Sequence, residues 1–162
     1  MIPLAVLGIA YLLGAIPFGY LLVKWKTGAD VRAAGSGNIG ATNVMRTTGR
    51  AAGVATLLLD IAKGYAAVWT AGRLTGQDVL WMSAAALAVM AGHGYPVFLG
   101  FKGGKAVASF VGAATLPLAV WLVMKSPWPA VIASVIAGGF IIYRHSSNIQ
   151  RLSLGTESVF KF

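Results

Sequence analysis

The stretch IPLAVLGIAYLLGAIPFGYLLV, residues 2–23, decides the fold class, because it contains no charged side chain. A helix that crosses a bilayer needs about 20 predominantly apolar residues. Met1 to Val23 lacks the positive leading segment and small-residue cleavage site of a secretory leader, so it reads as a span. Pro3 suits a first helical turn, whereas Pro17 removes an interior donor and predicts a kink near the inner end. The whole chain agrees with this reading. It is 57% hydrophobic and 10% charged, with a mean hydropathy of +0.76, against about 25% charged residues in a soluble domain.

Four further apolar runs follow: Ala51 to Gly72, Val79 to Met90, Ala106 to Met124 and Ala130 to Tyr143. The expectation is an all-α, polytopic membrane bundle of about five spans, and 162 residues accommodate one such domain and no second. Five spans place the polar segments after Val23, after Met90 and after Tyr143 on one side. Of the 13 basic residues, only Arg73 and Lys125 fall on the opposite side, and Lys63 lies within a span. That asymmetry predicts cytoplasmic polar segments and an external N-terminus. The net charge of +9 then points to anionic lipid or an anionic substrate, and not to nucleic acid. The absence of cysteine excludes a disulfide, a thiolate nucleophile and a thiolate metal site.

The polar segment after the first span contains GSGNIGATNVMR, Gly35 to Arg46. Its glycines allow a tight backbone, Ser36, Asn38, Thr42 and Asn43 add short hydrogen-bonding arms, and Arg46 adds a positive fork. No acid occurs between Val31 and Asp60. These are the parts of a phosphate cradle. The formal match to G-x-G-x-x-G is set aside, because the dinucleotide motif needs a preceding strand. The second polar segment, GHGYPVFLGFKGGKA, predicts a short third span and a loop that re-enters the protein. Lys102, Gly103, Gly104 and Lys105 form a flexible positive site without Walker A spacing. His93 reads either as an acid or base or as a loop hydrogen-bonder. In the third segment, helical spacing puts His145, Asn148 and Leu152 on one face, with Arg151 three beyond Asn148. Glu157 reads as an internal counter-ion. Asp60 and Lys63, three apart inside a span, read as a structural ion pair. No metal-ligand cluster is visible, so chemistry at this site rests on positioning and electrostatics.

SGNIGATNVMRTTGR, GHGYPVFLGFKGGKAVA and HSSNIQRLSLGTE closely resemble the three signature motifs of the bacterial acyl-phosphate:glycerol-3-phosphate acyltransferases, the PlsY type, and LLLDIAKG resembles that family too. The resemblance implies an inner-membrane enzyme that transfers an acyl group from acyl phosphate to the 1-hydroxyl of glycerol 3-phosphate. The products are lysophosphatidic acid and phosphate, without cofactor or metal. The H-x-x-x-x-D motif of the acyl-CoA-dependent acyltransferases is absent after both His93 and His145. By family similarity Ser36 and Arg46 are essential, the second-motif glycines and Lys105 hold the glycerol-phosphate, His145 and Asn148 contact substrate, and Glu157 is structural. The acyl-phosphate synthase PlsX is the partner the resemblance implies.

One departure stands out. VASFVGA runs directly into ATLPLAVWL, where family members carry two further spans and a short Ser-Leu-Gly-Ser-like loop. Removing a pair of spans keeps the tail on the same side. Two other readings stay open: a degenerate member that binds lipid or glycerol-phosphate without acyl transfer, and a small organic-anion transporter. The second needs charges along a path through several spans, and only Asp60 and Lys63 are intramembrane.

Overall fold

The computed structural model describes residues 2–111, 128–154 and 156, and among them the regular structure is helical. The first run forms α1 (Ile2–Ala15) and α2 (Phe18–Thr27), broken at Ile16 and Pro17 as the proline predicts. The Ile16 carbonyl at the break accepts from Phe18 N at 3.2 Å and from Lys63 Nζ at 2.9 Å. Gly28, at φ 72°, closes α2 in the left-handed conformation that glycine adopts without steric cost. A short amphipathic helix, α3 (Ala41–Thr48), follows the first motif, and α4 (Arg50–Leu74) and α5 (Val79–Gly94) form the next two spans. Asp78 caps α5 by accepting from Leu80 N at 2.8 Å. The last described helices are α6 (Trp128–Arg144) and α7 (Ser146–Ser153).

Among the described residues, three stretches are long and apolar enough to cross a membrane: Leu4–Thr27, Arg50–Leu74 and Val79–Leu99. α6 is a shorter apolar helix of 17 residues. The expected fourth span, Ala106 to Met124, lies mostly outside the described residues; of it, residues 107–111 are helical.

The core lies where α1, α4 and α5 meet, with Val6, Ala10, Val68, Ala71, Met82 and Val89 buried against one another. Small residues let these backbones approach closely. A Cβ at Gly14 would collide with the Val89 carbonyl, and one at Gly92 with the Tyr11 carbonyl. This corrects one expectation. The third span does not stop at Met90: α5 continues through His93 to Gly94. Gly92 is there to fit α1, and packing overrides its weak helix propensity. The opposite faces carry exposed Leu4, Leu58, Leu80 and Val135, as lipid-facing helices should.

Candidate active site

The first motif is held by its own interior. Val31, Ile39 and Val44 bury against Val23 of α2, pinning the loop to the end of the bundle. Asn43, 2% exposed, then ties the turn together. Its Nδ2 donates toward Asn38 O at 2.8 Å, Ala34 O at 3.1 Å and Val31 O at 3.2 Å, while Oδ1 accepts from Ser36 N at 2.8 Å. Asn38 Oδ1 accepts from Gly40 N at 2.9 Å in a local turn. Asn43 stands in the cavity wall, yet its amide is committed to the loop. Asn43→Ala leaves the Ser36 N–H and three carbonyls without this partner, so it is expected to cost about 1–3 kcal/mol. The check is the thermal midpoint of the purified protein; an unchanged midpoint would mean the loop is framed by other groups.

Just outside the motif, Arg32 pairs with Asp30 at 2.7 Å and lies over the Tyr20 ring at 5.3 Å. The Arg32 hydrogen bonds hold the Asp30 carboxyl below the usual carboxylate range, and Asp30 in turn raises the guanidinium.

The second motif leaves α5 through a turn at Val97–Leu99 and returns along the helix end. Gly103 N donates to Gly94 O at 3.2 Å and Gly104 N to His93 O at 3.0 Å. A Cβ on Gly103 would strike the His93 carbonyl, and one on Gly104 the His93 ring. Both glycines are therefore required by close packing of the loop. Lys105 follows and donates to Asn148 Oδ1 on α7. Arg151 Nη2 donates to the same oxygen at 2.9 Å. His145 forms the corner between α6 and α7, its Nδ1 at 2.8 Å from Ile141 O. A carbonyl only accepts, so Nδ1 is the donor in this contact.

These three segments meet. A cavity of about 300 Å³ is lined by Ser36, Asn38, Thr42, Asn43 and Arg46 from the first, His93 and Lys105 from the second, and His145 and Asn148 from the third. A second cavity of about 200 Å³ shares Ser36, Asn38, Lys105 and Asn148 with it and adds Gly37, Gly103, Arg144, Ser147 and Arg151. The smaller cavity is polar on every side. The larger one also touches Leu57, Ile61, Val107 and Val111, so one wall is apolar. Arg46 and Lys105, with Arg144 and Arg151 beside them, make the site electropositive.

Asp60 is the carboxylate in that lining, and it is not available as a lone charge. Lys63 Nζ stands 2.8 Å from Asp60 Oδ1, with both side chains almost fully buried. The contact is a close ion pair sealed from solvent. His93 Nδ1 lies 3.6 Å from Asp60 Oδ1 and 3.2 Å from Ser109 Oγ. The paired reading of Asp60 and Lys63 thus extends to a third group in the next helix. Among the described residues, no group of His, Asp and Glu could hold a metal.

Two expected substrate-binding residues stand off the cavities: Lys102 is exposed and lines neither, and Gly104 packs against the His93 ring and lines neither. Glu157 lies outside the described residues. The sequence reading did not include Arg144, Ser147, Leu57 or Ile61. Leu57 lies three residues before Asp60 and four before Ile61, so the face was readable once Asp60 was known to point inward. Arg144 directly precedes the third motif and carried no signal of its own.

The family profile described as glycerol-3-phosphate acyltransferase matches residues 4–124. A glycerol-3-phosphate acyltransferase of Geobacter metallireducens is 41% identical, covering 99% of both chains, and that of Desulforamulus reducens is 42% identical, covering 91% of this chain and 90% of the relative. The first of these alignments spans 195 positions, more than the 162 residues of this chain, so the relative carries residues without a counterpart here. The crystal structure of PlsY, an integral membrane glycerol 3-phosphate acyltransferase, superposes in its glycerol 3-phosphate form with a TM-score of 0.85 at 35% identity, covering 98% of this chain and 96% of that one. Its lysophosphatidic acid form superposes with a TM-score of 0.81 at 33% identity. Profile, full-length relatives and shared architecture agree that this multi-pass membrane protein belongs to the glycerol-3-phosphate acyltransferase family.

Proposed function

We propose that this protein transfers an acyl group from acyl phosphate to the 1-hydroxyl of glycerol 3-phosphate at the cytoplasmic face of a bacterial inner membrane. The observation that carries this reading is an electropositive cavity whose wall draws on all three motif segments and on membrane-spanning helices. The related crystal structures, with glycerol 3-phosphate and with lysophosphatidic acid, support the acceptor and the product. The acyl-phosphate donor rests on the motif resemblance, with PlsX as its source.

The acyl chain lies along Leu57, Ile61, Val107 and Val111, and the acceptor phosphate occupies the polar cavity beside Lys105 and Arg151. Ser36 and Asn148 line both cavities and Arg46 and His145 line the larger one, where carboxyl carbon and hydroxyl meet. The acceptor oxygen bonds to the acyl carbon, the carbon–oxygen bond to phosphate breaks, and phosphate leaves. The hydroxyl proton passes to the departing phosphate, a strong oxygen base, so no protein base is required. Catalysis then comes from holding two anions together and stabilising the charge that grows on the leaving group.

The shorter chain favours one second reading, a protein that binds these phosphates without turnover. Purified protein given acyl phosphate and glycerol 3-phosphate decides between them. Lysophosphatidic acid and phosphate in equal amounts are expected. Retained glycerol 3-phosphate binding with no product would favour the non-enzymatic reading, and activity with acyl-CoA alone would overturn the donor.

A further inference from the structure

Residues 103 and 104 carry no helix or sheet pairing, yet every backbone polar group between them is held. His93 and Gly94 carbonyls take both N–H groups, as described above. On the other side Arg144 Nη2 donates to Gly103 O at 2.9 Å and to Gly104 O at 2.8 Å, and its Nε donates to Gly104 O at 3.1 Å. One flank is the end of α5, where the buried His93 ring packs against Gly104 beside the two carbonyls, and the other is a guanidinium fork from α6.

Each flank is itself braced. His93, 4% exposed, has Asp60 and Ser109 beside it, with Lys63 behind Asp60. Arg144 lies over the Tyr95 ring at 5.0 Å, and the Tyr95 carbonyl accepts from Tyr11 of α1 at 2.8 Å. The loop between the flanks is strained at both ends: Phe101 has φ 64° and Ala106 φ 63°. Non-glycine residues persist there only when their surroundings over-determine the backbone. Lys105 stands between Gly104 and strained Ala106. A lysine has a flexible four-carbon stem and no planar fork, so its side chain alone gives little positional precision.

We propose that Arg144 and His93 act as a two-sided clamp on the Gly103–Gly104 backbone, and that this clamp sets where the Lys105 ammonium meets the acceptor phosphate. They are positioning residues, and the inference rests on the glycerol 3-phosphate reading above. The geometry explains why the fork is needed at residue 144. A guanidinium can hold two neighbouring carbonyls at once, whereas an ammonium keeps the charge but not the planar grip.

The test measures glycerol 3-phosphate KM and kcat, glycerol 3-phosphate affinity by calorimetry, and thermal midpoint for wild type, Arg144→Lys, His93→Ala and the double variant. Misplacement by 1 Å can cost about 100-fold. Arg144→Lys is expected to raise the glycerol 3-phosphate KM and Kd at least tenfold (on the order of 1.4 kcal/mol), with the acyl-phosphate KM little changed. His93→Ala keeps both carbonyls and removes the ring packed on Gly104, so it should act in the same direction and more weakly. Because both act through one loop, the double variant should raise KM by less than the product of the single effects. Wild-type KM and Kd in Arg144→Lys would overturn the proposal, whether the charge alone suffices or only the midpoint falls. Strictly multiplicative effects would overturn it as well. If wild type binds without turnover, the calorimetric arm decides. If wild type neither binds nor turns over glycerol 3-phosphate, the functional reading fails and the clamp proposal with it.

Discussion

Arg46→Ala is expected to lower kcat by about 10²–10³, the loss typical of removing one preorganised donor to developing charge. Arg46 sits in the last turn of α3, half-buried, on the cavity wall that also carries Ser36. Charge grows on the phosphate as it leaves, so an interaction made there acts on the transition state more than on bound substrate. The fall should therefore appear in kcat and in kcat/KM together, and not as a rise in KM alone. Arg46→Lys restores charge without the bidentate fork and should recover only part of the rate. Phosphate release at saturating substrates is the measurement. A variant with unchanged kcat and a raised KM would move Arg46 from the reacting centre to simple anion capture.

Lys63→Leu is expected to be the most destabilising single change, by about 3–5 kcal/mol, because it strands the Asp60 carboxylate inside the bundle. The side chains of Lys63 and Asp60 are 2% and 3% exposed, so solvent cannot take the partner's place. The same substitution removes one of the two donors to Ile16 O, at the break that Pro17 makes between α1 and α2. Replacing both Lys63 and Asp60 with leucine should recover most of the loss, since no charge is then left unpaired. A remainder of about 0.5–1.5 kcal/mol should persist from the lost hydrogen bond, since the Ile16 carbonyl then keeps only Phe18 N as a donor. Thermal unfolding of the three variants in one detergent makes the comparison. If Lys63→Leu matched wild type, the pair would have no part in holding the helix break.

The sequence by itself determined the parts of this protein that follow from local physics. Transfer free energy made residues 2–23 and the Arg50–Leu74 region apolar spans, and a missing N–H made Pro17 a break. The three motifs were readable because dense glycine, amide and basic residues between apolar runs are costly unless they hold an anion. Spacing also placed Asp60 and Lys63 on one helical face.

Only the tertiary structure decided what each of those residues touches. Gly92, Gly103 and Gly104 look alike in the chain, but Gly92 lets α1 meet α5 and the other two let a loop lie against His93. Asn43 and Asn38 share a motif, yet the Asn43 amide binds four backbone groups of its own turn. Lys102 and Lys105 are three apart, but one faces outward and the other enters the cavity. Arg144 reaches two carbonyls some 40 residues earlier in the chain, and no local pattern encodes a partner at that separation. Periodicity and hydropathy report how a residue relates to its neighbours and to solvent. Which backbone a glycine must clear, and which carbonyl an arginine must hold, depends on how separate helices pack.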